Sequence, residues 1–343
     1  MQDRAGFEEF VRQLPKAELH VHLEGTLEPE LMLALAERNR IPAPFPDVDS
    51  ARAAYDFADL QSFLDLYYAG ANVLQTEQDF YDLTRAYLSR AAQEGIRHVE
   101  PFFDPQTHVV RGVPFGVALA GILLALEDAE EDFGITYRLI MCFLRDMPAD
   151  DATHTLHTAR LYPHRIVGVG LDSAELGNPP EKFAGVFAEA AELGYRRVAH
   201  AGEEGPASFI TDALDMLGAE RIDHGVRCLD DPAVVARLVA DRVPLTVCPL
   251  SNVKLRVFDE MSAHPLKQMM DAGLLVTVNS DDPAYFGGYL TENFMAVADA
   301  LDLTLADMTA LAKNSFEAAF IDEAQKATYI AEIDAYSAGV SAS

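Results

Sequence analysis

Residues 181–204 read EKFAGVFAEAAELGYRRVAHAGEE. Phe183, Val186, Phe187 and Ala190 recur at helical spacing and share one face. Gly194 follows the last turn, where a glycine tolerates the left-handed conformation that ends helices. A strand-like run over 196–202 comes next and closes on polar residues, His200, Glu203 and Glu204. The same punctuation returns along the chain. Helical stretches at 76–94, 114–133, 207–217 and 263–272 close at Gly95, Gly134, Gly218 and Gly273, each just ahead of an apolar run. Asp231-Pro232, an N-cap followed by proline at the first helical position, opens another helix.

This gives eight strand candidates: 17–23, 98–103, 136–144, 165–172, 196–202, 221–226, 243–250 and 274–280. Strands alternating with helices imply parallel βαβ units in an α/β protein. Eight such units close most simply into a (β/α)8 TIM barrel rather than an open doubly wound sheet. One stretch breaks the rhythm. Residues 28–96 hold about three helical patterns where a barrel needs one, so extra helices are inserted after the first strand. An insertion there lies over the barrel mouth, a natural position for a lid. With no low-complexity linker and no break in composition, residues 1–343 read as a single domain.

Half of the 343 residues are apolar and 24% are charged, which supplies a sizeable core and excludes intrinsic disorder. Lys and Arg number 26 against 55 Asp and Glu, a formal charge of −29. Such a chain repels phosphate backbones and anionic lipid, and its basic residues are scattered, so neither nucleic acid nor a membrane is an expected partner. No segment approaches the roughly 18 apolar residues of a bilayer span. Cys142, Cys228 and Cys248 are odd in number and far apart, a poor disulfide framework. With a polar N-terminus lacking an apolar signal core, the expected compartment is the cytoplasm.

The polar residues at the strand ends carry the chemistry. His20 and His22 stand at i, i+2 in Leu19-His20-Val21-His22-Leu23, so both imidazoles share one face of the first strand. Two imidazoles converging there suit a divalent transition metal, although a lone His-x-His in a strand is more often structural. His200 ends the fifth strand, His224 the sixth, and Asp281-Asp282 follow the eighth. All fall at the C-terminal rim, where barrel enzymes place their catalytic groups. Singly, each could be a loop residue or a helix cap; Asp282 before Pro283 is the plainest case.

Leu19-His20-Val21-His22-Leu23-Glu24-Gly25, His200-Ala201-Gly202-Glu203, Asp223-His224-Gly225 and Ser280-Asp281-Asp282-Pro283 together resemble the motif set of the adenosine/adenine deaminase family of metal-dependent amidohydrolases. The likeness runs from about residue 14 to residue 320, with all four motifs in order. The H-x-E…P-C-x-x-C signature of the cytidine-deaminase fold is missing. The resemblance implies that His20, His22, His200 and Asp281 bind one Zn²⁺, or iron, since such ligation is not strongly selective. It further implies that Glu203 protonates the purine N1, that His224 orients the attacking water and acts as base, and that Asp282 bonds N7.

Within the family, His22-Leu23-Glu24-Gly25-Thr26-Leu27 resembles the adenine branch: nucleoside-specific members carry a ribose-contacting aspartate where this chain has Glu24, one methylene longer and expected to project into the ribose space as a substrate-binding residue. Gly170-Leu171-Asp172-Ser173-Ala174-Glu175 also departs from the nucleoside pattern, and Ser173 and Glu175 are candidates for the N3/N9 edge of a free base. Both could equally do no more than terminate the strand. Pro105-Gln106-Thr107-His108 and Tyr285-Phe286-Gly287-Gly288 look like the adenine branch as well. The expected reaction is adenine plus water to hypoxanthine plus ammonia, in purine salvage. The alternatives are adenosine deaminase, a deaminase of another 6-aminopurine, or, in a different class, a catalytically silent purine-binding barrel.

Overall fold

The computed structural model describes residues 4–341. Eight parallel strands follow the order of the chain: β1 (Lys16–Glu18), β2 (Ile96–Val99, resuming at Phe102–Phe103), β3 (Thr136–Tyr137, resuming at Ile140–Leu144), β4 (Gly168–Asp172), β5 (Arg196–Ala201), β6 (Arg221–His224), β7 (Pro244–Val247) and β8 (Leu275–Val278). Each pairs with its neighbour in sequence, through registers such as Ala17↔His98, His98↔Thr136, Cys142↔Gly170, Gly168↔Arg196, His200↔Asp223, Ile222↔Leu245 and Thr277↔Thr246. The ring closes just beyond β8. Asp281 N donates to His20 O (3.1 Å) and His22 N to Asp281 O (2.9 Å), in a parallel bridge at Val21↔Asp281. The architecture is a (β/α)8 TIM barrel.

The first strand is shorter than the predicted 17–23 for a physical reason. Leu19 N donates to the side-chain Oδ1 of Asn279 (2.9 Å), so a side-chain amide takes the place of a ladder carbonyl there. In β2 the ladder lapses at Glu100-Pro101, where proline has no N–H to give. The predicted 243–250 is cut to Pro244–Val247, because Pro249 opens the short helix Pro249–Lys254.

The expected helices stand where the glycines place them. Glu77–Gln93, Phe115–Phe133 and Leu266–Asp271 precede Gly95, Gly134 and Gly273, all with positive φ (74°, 70° and 81°). The insertion holds three extra helices, Pro29–Asn39, Val48–Ala54 and Leu60–Ala71, before the barrel helix Glu77–Gln93. The acidic stretch that opens at Asp322 packs against the body of the protein. Helix Glu323–Ser341 buries Ile333 and stacks Tyr329 on Phe316, with ring centroids 4.6 Å apart. All three cysteines are free and buried, and among the described residues no helix is long and apolar enough to cross a membrane.

The barrel interior is polar where it supports the rim. Arg221, fully buried, donates to Glu100 Oε2 (2.6 Å) and to Leu19 O (3.2 Å). Burial alone would raise Glu100, but the Arg221 guanidinium and His98 outweigh it and hold the carboxyl below its usual range. Such a pair ties β1, β2 and β6 together beneath the site.

Candidate active site

The histidines and aspartates of the donor cluster sit at or just past the C-terminal ends of strands. Ser173, His224 and Asp281 also carry left-handed backbone, with φ of 73°, 62° and 66°. Side chains other than glycine rarely adopt this conformation, and the strain gathers at functional positions.

The structure brings five donor residues to one point. His20, His200, His224 and Asp281 offer atoms all within 4.8 Å of one another, and all are buried. His22 joins them through His200 (Nε2 to Nε2, 3.3 Å) and Asp281 Oδ1 (3.5 Å). His20 Nε2 lies 3.2 Å from the same Asp281 oxygen. The outer nitrogens of these rings face acceptors. His20 Nδ1 meets Thr246 Oγ1 (3.0 Å), which itself donates to Asp223 Oδ1 (2.8 Å). His22 Nδ1 faces Asp172 Oδ2 and His200 Nδ1 faces Asp223 Oδ2, each at 3.5 Å. Thr246 accepts the hydrogen of His20 Nδ1 and so leaves its Nε2 bare, as a metal ligand requires; on His22 and His200 the same tautomer points its N–H at the carboxylate oxygen.

The donor set fits a divalent cation. Two bare imidazole nitrogens repel each other unless something positive lies between them, and two nitrogens about 2.0–2.1 Å from one tetrahedral ion sit ~3.3 Å apart. Burial, and then the neighbouring imidazoles, push His200 well below the usual histidine range, so it is neutral; burial takes His224 down to about 3. Burial would raise Asp281, but His20, His224 and His22 outweigh it and hold this carboxyl well below the ordinary range. Imidazole nitrogens and a carboxylate oxygen of this set could hold a cation.

Two further carboxyls are held in the opposite state. Burial first, then Asp281 and Glu175, push Glu203 well above the usual carboxyl range; burial and Asp281 do the same to Asp282. Asp282 Oδ1 is buried without a hydrogen-bond partner. Both are acids able to donate beside a metal centre. Gly25 makes room for one of them, since a Cβ there would lie 1.9 Å from Asp282 Oδ1.

His22, His200, Glu203, His224, Asp281 and Asp282 line one pocket at the barrel mouth. Leu60, Phe63, Leu64, Tyr67 and Tyr68 of helix Leu60–Ala71 form one wall, so the insertion does cover the mouth. Ser173 lines the pocket, its hydroxyl 3.0 Å from that of Tyr68. Glu24 and Glu175 do not line it, and here the sequence reading is corrected. Glu24 Oε1 accepts from His108 Nε2 (2.6 Å) and Asp104 N (3.2 Å). Glu175 accepts from the four backbone N–H groups of residues 202–205, at 2.7–3.1 Å. Its carboxylate therefore braces the loop that carries Glu203.

Sequence reasoning missed Asp104 and Asp172, which line the pocket, and Asp223, which backs His20 and His200. Burial and then Asp104 push Asp172 well above the ordinary range, and burial and then Glu24 raise Asp104 as well. The signal was present: Asp172 closes β4 as His224 closes β6, and Asp104 directly follows β2.

The adenosine deaminase family model matches residues 15–336. The chain belongs to the adenosine deaminase family. Among its relatives, an adenine deaminase of Cupriavidus necator is 60% identical over 330 residues, 96% of this chain and 94% of the relative. The crystal structure of an adenine deaminase from Arthrobacter aurescens superposes with a TM-score of 0.93 at 55% identity, covering 94% of this chain and 98% of that one. A second solved family relative, an amidohydrolase from Burkhoderia ambifaria with bound Zn, has a TM-score of 0.91 at 29% identity, covering 100% and 97%. Membership makes the chain a metal-dependent hydrolase.

Proposed function

We propose that the chain deaminates adenine, yielding hypoxanthine and ammonia, in cytoplasmic purine salvage. Near-full-length identity of about 60% to adenine deaminases carries this reading, together with the buried donor cluster flanked by two protonated carboxyls. His20, His22, His200 and Asp281 would hold one Zn²⁺, with iron able to take its place. When bound, such a cation supplies hydroxide at neutral pH by lowering the pKa of water from 15.7 to roughly 7.

The remaining steps fall to side chains. The aminopurine ring resists attack at C6 until N1 takes a proton, and Glu203 is the buried acid that gives it. Asp282, held protonated, donates to N7, which has only a lone pair to offer. His224 orients the attacking water, its Nε2 lying 3.6 Å from Glu203 Oε2 and 3.7 Å from Asp281 Oδ2. Ser173 is the candidate for the N3/N9 edge. The reading of residues 1–343 as one domain is supported by one core of buried side chains that joins the helical insertion to the barrel.

Initial rates on adenine, adenosine and N6-substituted adenines test the substrate. Adenine is expected to be the best of them, and adenosine as the best would overturn the reading. A second expectation follows from Gly25. In Gly25→Ala the added methyl must displace the Asp282 carboxyl by about 1 Å or more, and a misplacement of that size costs about 10²-fold in rate. Turnover should fall accordingly while metal content, measured on the same sample, stays at the parent level.

A further inference from the structure

We infer that Leu266, His264 and Asn252 form a hydrogen-bond relay that fixes His224 with its hydrogen on Nε2. His224 then faces the cleft as a donor and is not a metal ligand. The inference rests on the deaminase reading of the site, and it separates the five donor residues into four ligands and one orienting group.

The relay starts from a group whose role is fixed. Leu266 N–H, in the first turn of helix Leu266–Asp271, finds no backbone carbonyl and donates to His264 Nδ1 at 3.2 Å. A backbone amide only donates, so His264 Nδ1 accepts, and a neutral ring that accepts at Nδ1 carries its hydrogen on Nε2. Burial lowers His264 to about 4, which keeps it neutral. His264 Nε2 lies 3.2 Å from Asn252 Oδ1, which accepts. The amide is thereby oriented: its Nδ2 faces His224 Nδ1 at 3.3 Å and donates to it. With Nδ1 accepting, the hydrogen of His224 is on Nε2.

His20, His22 and His200 present the reverse arrangement. Their Nδ1 atoms face oxygen acceptors, an arrangement that favours a bare Nε2 turned to the cation. His224 alone of the four has a side-chain amide donor behind it. Its Nε2–H therefore cannot bind a cation, and it donates toward the oxygen nucleophile in place of the base role that the family resemblance implies. Asn252 and His264 are positioning residues, buried and outside the pocket lining, which act only through His224.

The test is the ¹⁵N spectrum of histidine-labelled, zinc-loaded protein, with the His224 pair assigned by its loss in His224→Gln. The expected spectrum shows a hydrogen-bearing Nε2 and a bare Nδ1; hydrogen on Nδ1 of His224 would overturn the relay. Asn252→Asp replaces the amide donor by an acceptor of the same shape, so the His224 hydrogen should move to Nδ1. The expected result is a fall in kcat of about 10²-fold at unchanged KM and zinc content. An Asn252→Asp enzyme with the parent kcat and parent His224 signals would also overturn it. The parent spectrum is readable whether or not adenine is the substrate, so failure of the relay and failure of the substrate assignment give different results.

Discussion

Glu203→Gln is expected to bind metal as the parent does and to deaminate adenine about 10²–10⁴-fold more slowly. The glutamine keeps the shape of the side chain but has no proton to give the ring nitrogen. The backbone of Glu203 is held independently of its carboxyl, because Glu203 N and its neighbours donate to Glu175. The substitution therefore removes the acid without releasing the loop. Burial and then the charge of Asp281 push the Glu203 carboxyl well above its usual range, which favours the proton-bearing form. Ammonia release and metal content measured on one preparation check the expectation. Normal turnover would mean that the acid is another group.

His20→Ala and Asp281→Ala are expected to lose the metal, with activity falling in step with metal content. His20 Nε2 and His22 Nε2 lie 3.2 and 3.5 Å from the same Asp281 oxygen, so these groups converge on one point. Removing Asp281 leaves three buried imidazoles with no anionic ligand among them. It also withdraws a charge that, after burial, helps to push Glu203 and Asp282 above the usual carboxyl range. Elemental analysis beside initial rates decides the matter. Full activity in a metal-free Asp281→Ala protein would remove the metal from the account.

Much of this was legible in the sequence, because the barrel has a rule. Residues at C-terminal strand ends face one mouth, so the eight strand ends put His20, His22, His200, His224, Asp281 and Asp282 together before any coordinates. What the rule does not give is the partner of a side chain beside the rim. Glu24 was read against the substrate, yet its partner His108 stands 84 positions away. Glu175 was read the same way, and its four N–H partners lie 27–30 positions on. A carboxylate at the end of a strand can turn into the pocket or into the neighbouring loop with the same local sequence. His264 shows the limit in the other direction. Taken alone it is a structural histidine beside a helix, and its bearing on His224 passes through Asn252, which is 12 positions away.

The most direct measurement is a crystal structure of zinc-loaded Glu203→Gln with adenine bound, with the metal located by its anomalous scattering. The account predicts one zinc touched by His20, His22, His200 and Asp281, the residue-203 side chain at N1 and Asp282 at N7. A zinc held elsewhere, or an adenine whose C6 faces away from that ion, would contradict it.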